Sequence, residues 1–462
     1  MMNRRKFMWT VGAGAGALAS SAGAGAEGTP TKTFPTPTPA QYAWQEAELG
    51  IIFHYDLHLF DDKRYNQRKN RLTDFGDPNI FNPAELDTDQ WVAAAKACGA
   101  RFALITASHE TGFRLWQSDV NPYCLKAVAW GGGKRDIVAE FVESCRKAGI
   151  APGVYMGTRW NGHLGVLDFK VTERSPLSQQ EYKRLIEGEV EEICSRYGDL
   201  FELWFDGGAY SPSLGGPDVL PIFDRYQPNC LFYHSHERAD ARWGGSESGT
   251  VPYPCWATMP FDGYMGHANQ VSDFMELLKH GDPRGAFWCP AMSDAPLRNH
   301  EWFWEPNDEH KLYSLEALQN MYYKSVGHNS TLIVGATPDR RGLVPDADMT
   351  RLNEWGDWIR KHFAHPRGET SGRGNVLELC LPAPKRVDMM ILQEDIREGE
   401  RVRAYTVEYL DGDTWRLLAE GSCIGHKRIA MFDAVEAERI RLIISKSIGE
   451  PYIRKLAIYE TG

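Results

Sequence analysis

The sequence predicts an α/β protein: a (β/α)8 TIM-like barrel followed by a smaller all-β sandwich domain. Three observations carry this. Eight short apolar runs alternate with longer helical patterns over about 320 residues, the sequence signature of repeated βα units. The runs are continuously apolar rather than alternating, as strands covered on both faces are. After about residue 365 the pattern changes to short or alternating runs with turn residues between them, which suits an antiparallel sandwich. A chain of 462 residues holds one large domain and one small one.

The first 26 residues are expected to stand outside the fold. "NRRKFMWTVGAGAGALASSAGAGA" sets Arg4 and Arg5 before a short apolar segment and then small residues suited to cleavage near Ala24–Ala26. The Arg-Arg pair resembles a twin-arginine export signal, so the mature protein is expected to be periplasmic or secreted. Residues 27–40, "EGTPTKTFPTPTPA", read as a Pro/Thr linker.

The barrel is expected over residues 41–365. Its strand candidates are "GIIFHY" (50–55), "ARFALIT" (100–106), "IAPGVYM" (150–156), "LFELWF" (200–205), "CLFYH" (230–234), "YPCWA" (253–257), "GAFWC" (285–289) and "STLIVG" (330–335). Between them, "DTDQWVAAAKACG" places Trp91, Ala95 and Cys98 on one helical face and stops at Gly99. "KRDIVAEFVESCRKAG" repeats the device with Ile137, Phe141 and Cys145, and "SPLSQQEYKRLIEGEVEEICSRYG" and "LYSLEALQNMYYKSVG" follow suit. Residues 366–462 carry the β segments, with "YLDGDTW" as a hairpin signal.

Composition narrows the function. Hydrophobic residues at 42% and charged residues at 24% are those of a soluble globular protein, and no stretch reaches the ~18 apolar residues of a membrane span. A net charge of −11, with no basic stripe to offset it, argues against nucleic acid as a partner. Nine cysteines occur singly, without CxxC pairs or zinc spacing, and read as buried thiols. Aromatics make up 12%, including 15 Trp; most build the core, but sugar clefts also use such faces as stacking walls.

In a barrel, site groups come from the C-terminal ends of the strands. "LFELWFDGG" (200–208) delivers Asp206 there, and Gly207 and Gly208 let the chain turn sharply beneath a ligand. His54 ends the first strand and His109 follows the second. A strand-end Asp can cap a loop and a His can be a satisfied core residue, yet three polar groups at one mouth favour a site. Glycosidic cleavage needs a second carboxyl, one to attack or activate water and one to protonate the leaving oxygen. Glu247, Asp294, Glu301 and Glu305 are the candidates.

These residues carry a resemblance. "ELWFDGG" resembles the nucleophile motif of the α-L-fucosidases of glycoside hydrolase family 29. "ASHETGFRLWQSDVNPYCLK" is similar to the segment the family builds on "KHHDGFCLWPS", and "RDIVAEFVESCRKAGIAPGVYM" to its "DVVKEFVDACRKAGLKPGLYL". "NSTLIVGATPDRRGLVPDADMTRLNEWGDWI" and "MMILQEDIREGERVRAYTVEYLDGDTW" resemble its "NLLLNVPPDRRGLI" and "VVLQEDIRKGQRV" segments. The resemblance implies Asp206 as nucleophile, and "ARWGGSESG", similar to "IRWVGNEKG" of the α-1,3/1,4-type branch, implies Glu247 as acid/base. His54 and His109 match sugar-contacting histidines, and Trp204 lies beside the nucleophile. Trp116 and Trp160 fall in matched segments and are candidate stacking faces.

The departures bear on the sugar. "HHDGF" is here "HETGF", so Glu110 stands where the family has a second sugar-binding histidine, and Thr111 where it has an aspartate. "FIHFG" is "FHYDL", "SPWDR" is "GTRWN", and in "PAExD" the acid is Met292, leaving Asp294. The expected protein is therefore an exported retaining exo-glycosidase acting on terminal α-L-fucosides of oligo- or polysaccharides, with no metal or organic cofactor. An α-L-galactosidase-like activity, or a catalytically weak carbohydrate-binding homologue, is the alternative.

Overall fold

The computed structural model describes residues 34–461. The expected export signal and most of the expected linker lie outside the described residues. Helix α1 (Pro39–Ala47) begins within that linker, because Thr38 and Gln41 form a reciprocal capping box and Pro39 supplies a pre-set helical φ. Its Trp44 is wholly buried among residues that point into the barrel, including Ile52, Leu104, Trp204, Tyr233 and Ile333. The Trp44 indole donates to the Glu202 carboxyl at 2.8 Å, so α1 packs its buried face into the barrel interior.

Eight parallel strands form the barrel sheet: β1 (Leu49–Phe53), β2 (Phe102–Ser108), β3 (Ala151–Met156), β4 (Glu202–Phe205), β5 (Leu231–Phe232), β6 (Arg242–Trp243), β7 (Ala291–Pro296) and β8 (Ser330–Ala336). Their order is β5-β4-β3-β2-β1-β8-β7-β6, the cyclic order of a barrel. Among the described residues no ladder joins β5 to β6. Asp240 spans that seam instead: its N–H donates to the Phe232 carbonyl at 3.1 Å, and its carboxylate accepts from the Phe232 N–H at 3.0 Å.

Six strands fall on the expected apolar runs, and two do not. "YPCWA" and "GAFWC" are not barrel strands. Phe287–Trp288 instead pairs antiparallel with Thr258–Met259 in a small hairpin. The sixth and seventh strands are the more polar "RW" and "AMSDAP". The misleading segments are apolar for another reason: Ala257 and Trp288 pack against Ile396 of the C-terminal domain.

The main helices follow their caps. They are α2 (Thr88–Ala97), capped by Asp87, α3 (Ile137–Ala148), capped by Asp136, and α4 (Gln179–Arg196), where Ser178 and Glu181 form a second capping box. Next come α5 (Leu220–Tyr226), α6 (Phe274–His280), α7 (Leu315–Lys324) and α8 (Asp346–His362).

The C-terminal domain contains β9 (Gly368–Arg373), β10 (Val376–Glu394), β11 (Val402–Asp411), β12 (Thr414–Gly421), β13 (Arg428–Ser447) and β14 (Tyr452–Tyr459), hydrogen-bonded in the order β9-β14-β10-β13-β11-β12. Register breaks split the long β10–β13 ladder around Cys380–Lys385 and Val387–Met389. β14 pairs with the second half of β10, and β11 with the second half of β13. Both halves face one core that holds Leu379, Leu392, Val407, Leu442 and Leu456, so a single ladder supplies both layers of the sandwich. Tyr253 joins this domain to the barrel through its hydroxyl, which donates to the Cys423 carbonyl at 2.9 Å. Glu400 is fully enclosed there and accepts from the Ala257 N–H at 2.9 Å and from the Asn329 amide.

Candidate active site

β4 is buried along its whole length and ends at Phe205, so Asp206 is the first residue free to leave the sheet at its C-terminal end. The turn after it needs glycine twice. Gly207 and Gly208 have φ of 69° and 84°, and a Cβ on either would lie 2.8 Å from Arg159 or His234 respectively.

Asp206 lines two adjoining cavities together with Trp204, Gln67, Glu247 and Asp294. The first also touches His54, His109, Tyr155 and Trp302; the second, of about 250 Å3, touches Arg71, Arg159, Trp160, His234 and Trp243. Three carboxyl groups thus face the same open-mouthed space. Burial raises the Asp206 carboxyl above its usual range, and the Glu247 charge adds to this; Arg71, the adjacent Tyr155 hydroxyl and Arg159 pull the other way.

Glu247 sits in the loop after β6, exposed to solvent, where it accepts a hydrogen bond from the Trp302 indole at 3.0 Å. Asp294 lies within β7 and is buried. It accepts from the Trp243 indole at 2.9 Å, and burial, with Glu247 next, lifts its carboxyl well above the ordinary value. The other two candidates are engaged away from the cavities. Glu301 pairs with Arg64 at 2.8 Å and with Lys311, and Glu305 accepts from the Tyr65 N–H.

His54 and His109 are buried beside one another, ring centroids 5.8 Å apart. Burial holds His54 down at about 3 and His109 well below its ordinary value, so both are neutral. The Nδ1 atom of each has no hydrogen-bond partner among the described residues. His109 stacks on Tyr155 at 5.5 Å. Trp204 lines both cavities with a partnerless buried indole nitrogen, and Trp160 lies between the guanidinium groups of Arg71 and Arg159 at 3.5 and 4.6 Å from its centroid.

Two residues expected to touch the sugar lie outside the cavity linings. Trp116 is wholly buried and donates to Glu192 at 2.9 Å, so no sugar reaches its face. Glu110 is not among the cavity-lining residues; its carboxyl accepts from Arg71 at 2.7 Å and from the Tyr65 hydroxyl at 3.1 Å. It therefore steers two residues that do line the cavities. Burial raises Glu110 to about 7, opposed by Arg71.

Several lining groups have no counterpart among the sequence candidates: Tyr65, Gln67, Arg71, Tyr155, His234, Trp243 and Trp302. His234 was open to the strand-end rule, since it closes "CLFYH". Its Nδ1 meets the Tyr264 hydroxyl at 3.0 Å while its buried Nε2 is unpaired. Trp243 ends a two-residue strand that no apolar run marks, and the others come from long loops or, like Tyr155, lie one residue inside a strand.

Nitrogens held neutral and unpaired, aromatic faces and paired carboxyls make this a cavity for a polyhydroxylated ring. Comparisons with known proteins agree. Residues 29–363 match the family model described as Alpha-L-fucosidase. Alpha-L-fucosidase 1 of Arabidopsis thaliana is 27% identical over 463 residues, covering 91% of this chain and 86% of its own. A crystal structure from Bacteroides thetaiotaomicron, of a presumed alpha-L-fucosidase, is 53% identical with a TM-score of 0.90, covering 93% of this chain and all of its own. A Ruminococcus gnavus fucosidase of glycoside hydrolase family 29, solved with fucose, shares the fold at a TM-score of 0.78 and 23% identity, covering 93% and 95% of the two chains. The chain belongs to the alpha-L-fucosidase family of glycoside hydrolases, family 29.

Proposed function

We propose that the protein removes terminal α-L-fucose, or a closely related α-L-sugar, from fucosylated glycans by double displacement with retention. The observation that carries this is Asp206, held at the end of β4 over two glycines, lining the same cavities as Glu247. Asp206 attacks the anomeric carbon while Glu247 protonates the leaving oxygen. Glu247 then takes a proton from water as it opens the glycosyl-enzyme. Glu247 suits that role because its loop reaches solvent, where the leaving group departs and water enters. The likeness of "ARWGGSESG" to the α-1,3/1,4-type branch supports a leaving sugar joined through those positions. The paired arginines at the chain's start support export, which cell fractionation of the tagged protein checks.

Asp206→Ala tests the mechanism. Turnover of nitrophenyl α-L-fucoside should fall below about a thousandth of wild type, and azide should restore part of it as a glycosyl azide of inverted configuration. Substantial activity without azide would remove Asp206 from the nucleophile role. Replacement of the histidine of "HHDGF" by Glu110 favours a second reading, an α-L-galactoside substrate, which parallel assays of the two nitrophenyl glycosides decide.

A further inference from the structure

Beside the catalytic cavities lies another of about 380 Å3, lined by Asp61, Lys63, Arg64, Tyr65, Lys69 and Phe75 among others. All its lining residues belong to the segment between β1 and α2. Tyr65 also lines one catalytic cavity, and Gln67 of the same segment touches both, so one stretch of chain lines all three cavities.

The charge of this wall runs against that of the molecule. The protein carries −11 overall, yet "KRYNQRKNR" (63–71) holds five cations and no acid. The expectation of no basic stripe thus fails at this one short loop. Two of the five are neutralised: Arg71 by Glu110 at 2.7 Å and Arg64 by Glu301 at 2.8 Å. Lys63 reaches Asp61 only at 3.7 Å with its side chain 77% exposed, and Lys69 makes no ion pair among the described residues. The cavity at Asp206, by contrast, sets Asp206, Glu247 and Asp294 against two arginines that are already paired, Arg71 with Glu110 and Arg159 with Asp168, so it offers an added anion no free cation.

We propose that this cavity is a subsite for an anionic group, a sulfate or a carboxylate, carried by the glycan beyond the sugar that is cleaved. Lys63 and Lys69 hold the anion, and Tyr65 and Phe75 offer faces to the ring that bears it. The inference rests on the glycosidase reading above and adds a substrate class to it.

The test compares a neutral α-L-fucosyl oligosaccharide with its sulfated form and with one bearing a uronic acid, at low and high salt. Wild type is set against the double variant Lys63→Gln/Lys69→Gln. Wild type should show a KM about fivefold lower for an anionic substrate at low salt, a preference that salt erodes and the double variant loses. Turnover of nitrophenyl α-L-fucoside, which carries no anion, should be equal in both proteins. Whether the sulfated or the uronic probe responds identifies the anion. Equal KM values in wild type, or a preference the double variant keeps, overturns the subsite. Failure of wild type to cleave the nitrophenyl glycoside strikes the glycosidase reading alone. Calorimetric binding of the sulfated oligosaccharide then decides the subsite: weaker binding by the double variant sustains it, and equal binding overturns it.

Discussion

Arg114 and His54 are both buried polar residues of the same barrel, and they are treated in opposite ways. Arg114, at zero exposure, makes a two-pronged bond to Glu189 at 2.8 Å through Nε and Nη2, and its Nη1 donates to the Gly112 carbonyl. Glu189 accepts a further bond from Asn121 at 2.7 Å. At the mouth, buried nitrogens of His54, His109, His234 and Trp204 have no hydrogen-bond partner among the described residues. Unpaired buried polar atoms cost stability; others occur away from the mouth, as at Trp355 and Tyr123, but these four belong to residues that line the two adjoining cavities, where the hydroxyls of a ligand can complete them.

Variants separate the two regions. The largest effect is expected from Glu247→Gln, which should lower kcat on a fucosylated disaccharide by about 10²- to 10⁴-fold and on a nitrophenyl glycoside far less, because that leaving group needs little protonation. Asp294→Asn should lack this dependence on leaving group. If Asp294→Asn shows it instead, the proton donor is Asp294.

Arg114→Met strikes the satisfied region. It strands Glu189 without its cation and should cost about 3–5 kcal/mol in denaturant unfolding, with kcat per folded molecule unchanged. A fall in kcat at full stability would tie Arg114 to the site and erase the contrast.

Glu110 lies between the two regions, structural in its bonds and close to the site. Its value of about 7 is above the ordinary 4.5, so its contribution to stability is complete below about pH 4.5 and is lost as pH rises through about 7. Glu110→Gln cannot ionise and should flatten stability across that window, by on the order of 3 kcal/mol. A decline that persists in the variant belongs to another group.

The smallest effects should distinguish two tryptophans. Trp160→Ala should raise KM by about tenfold at most, because the ring supports Arg71 and Arg159, which line the cavity with it. Trp116→Phe should leave KM unchanged and lose about 1–3 kcal/mol of stability through the bond to Glu192. A KM change at Trp116 would contradict its burial.

What the sequence reveals follows the same division. β1 to β5 and β8 read correctly because their side chains meet other side chains, and apolar runs record that. β6 and β7 do not, since Arg242 is buried by bonding to the Leu278 and Cys289 carbonyls and Asp294 faces the cavity. Asp206 is legible because a carboxylate that ends an apolar run is costly to desolvate unless it is paired or put to use. Arg71 and Tyr65 are not, because in an exposed-looking loop nothing in the sequence marks which side chains fold inward. Glu110 and Trp116 fall in matched motifs, but a motif fixes a position along the chain and leaves open which way the side chain points.

The open seam beside β6 bears on how the carboxyls of Asp206 and Glu247 are mounted. Asp206 leaves a strand with a laddered neighbour on each side, β3 and β5. Glu247 hangs from a two-residue strand with a ladder on one side only, to β7. One carboxyl is a post set in masonry; the other is carried on a gate leaf hung from a single jamb. On the proposed mechanism the attacking carboxyl is thus the more firmly mounted of the two, and the one that gives a proton and takes it back stands on the side of the mouth with fewer backbone ties.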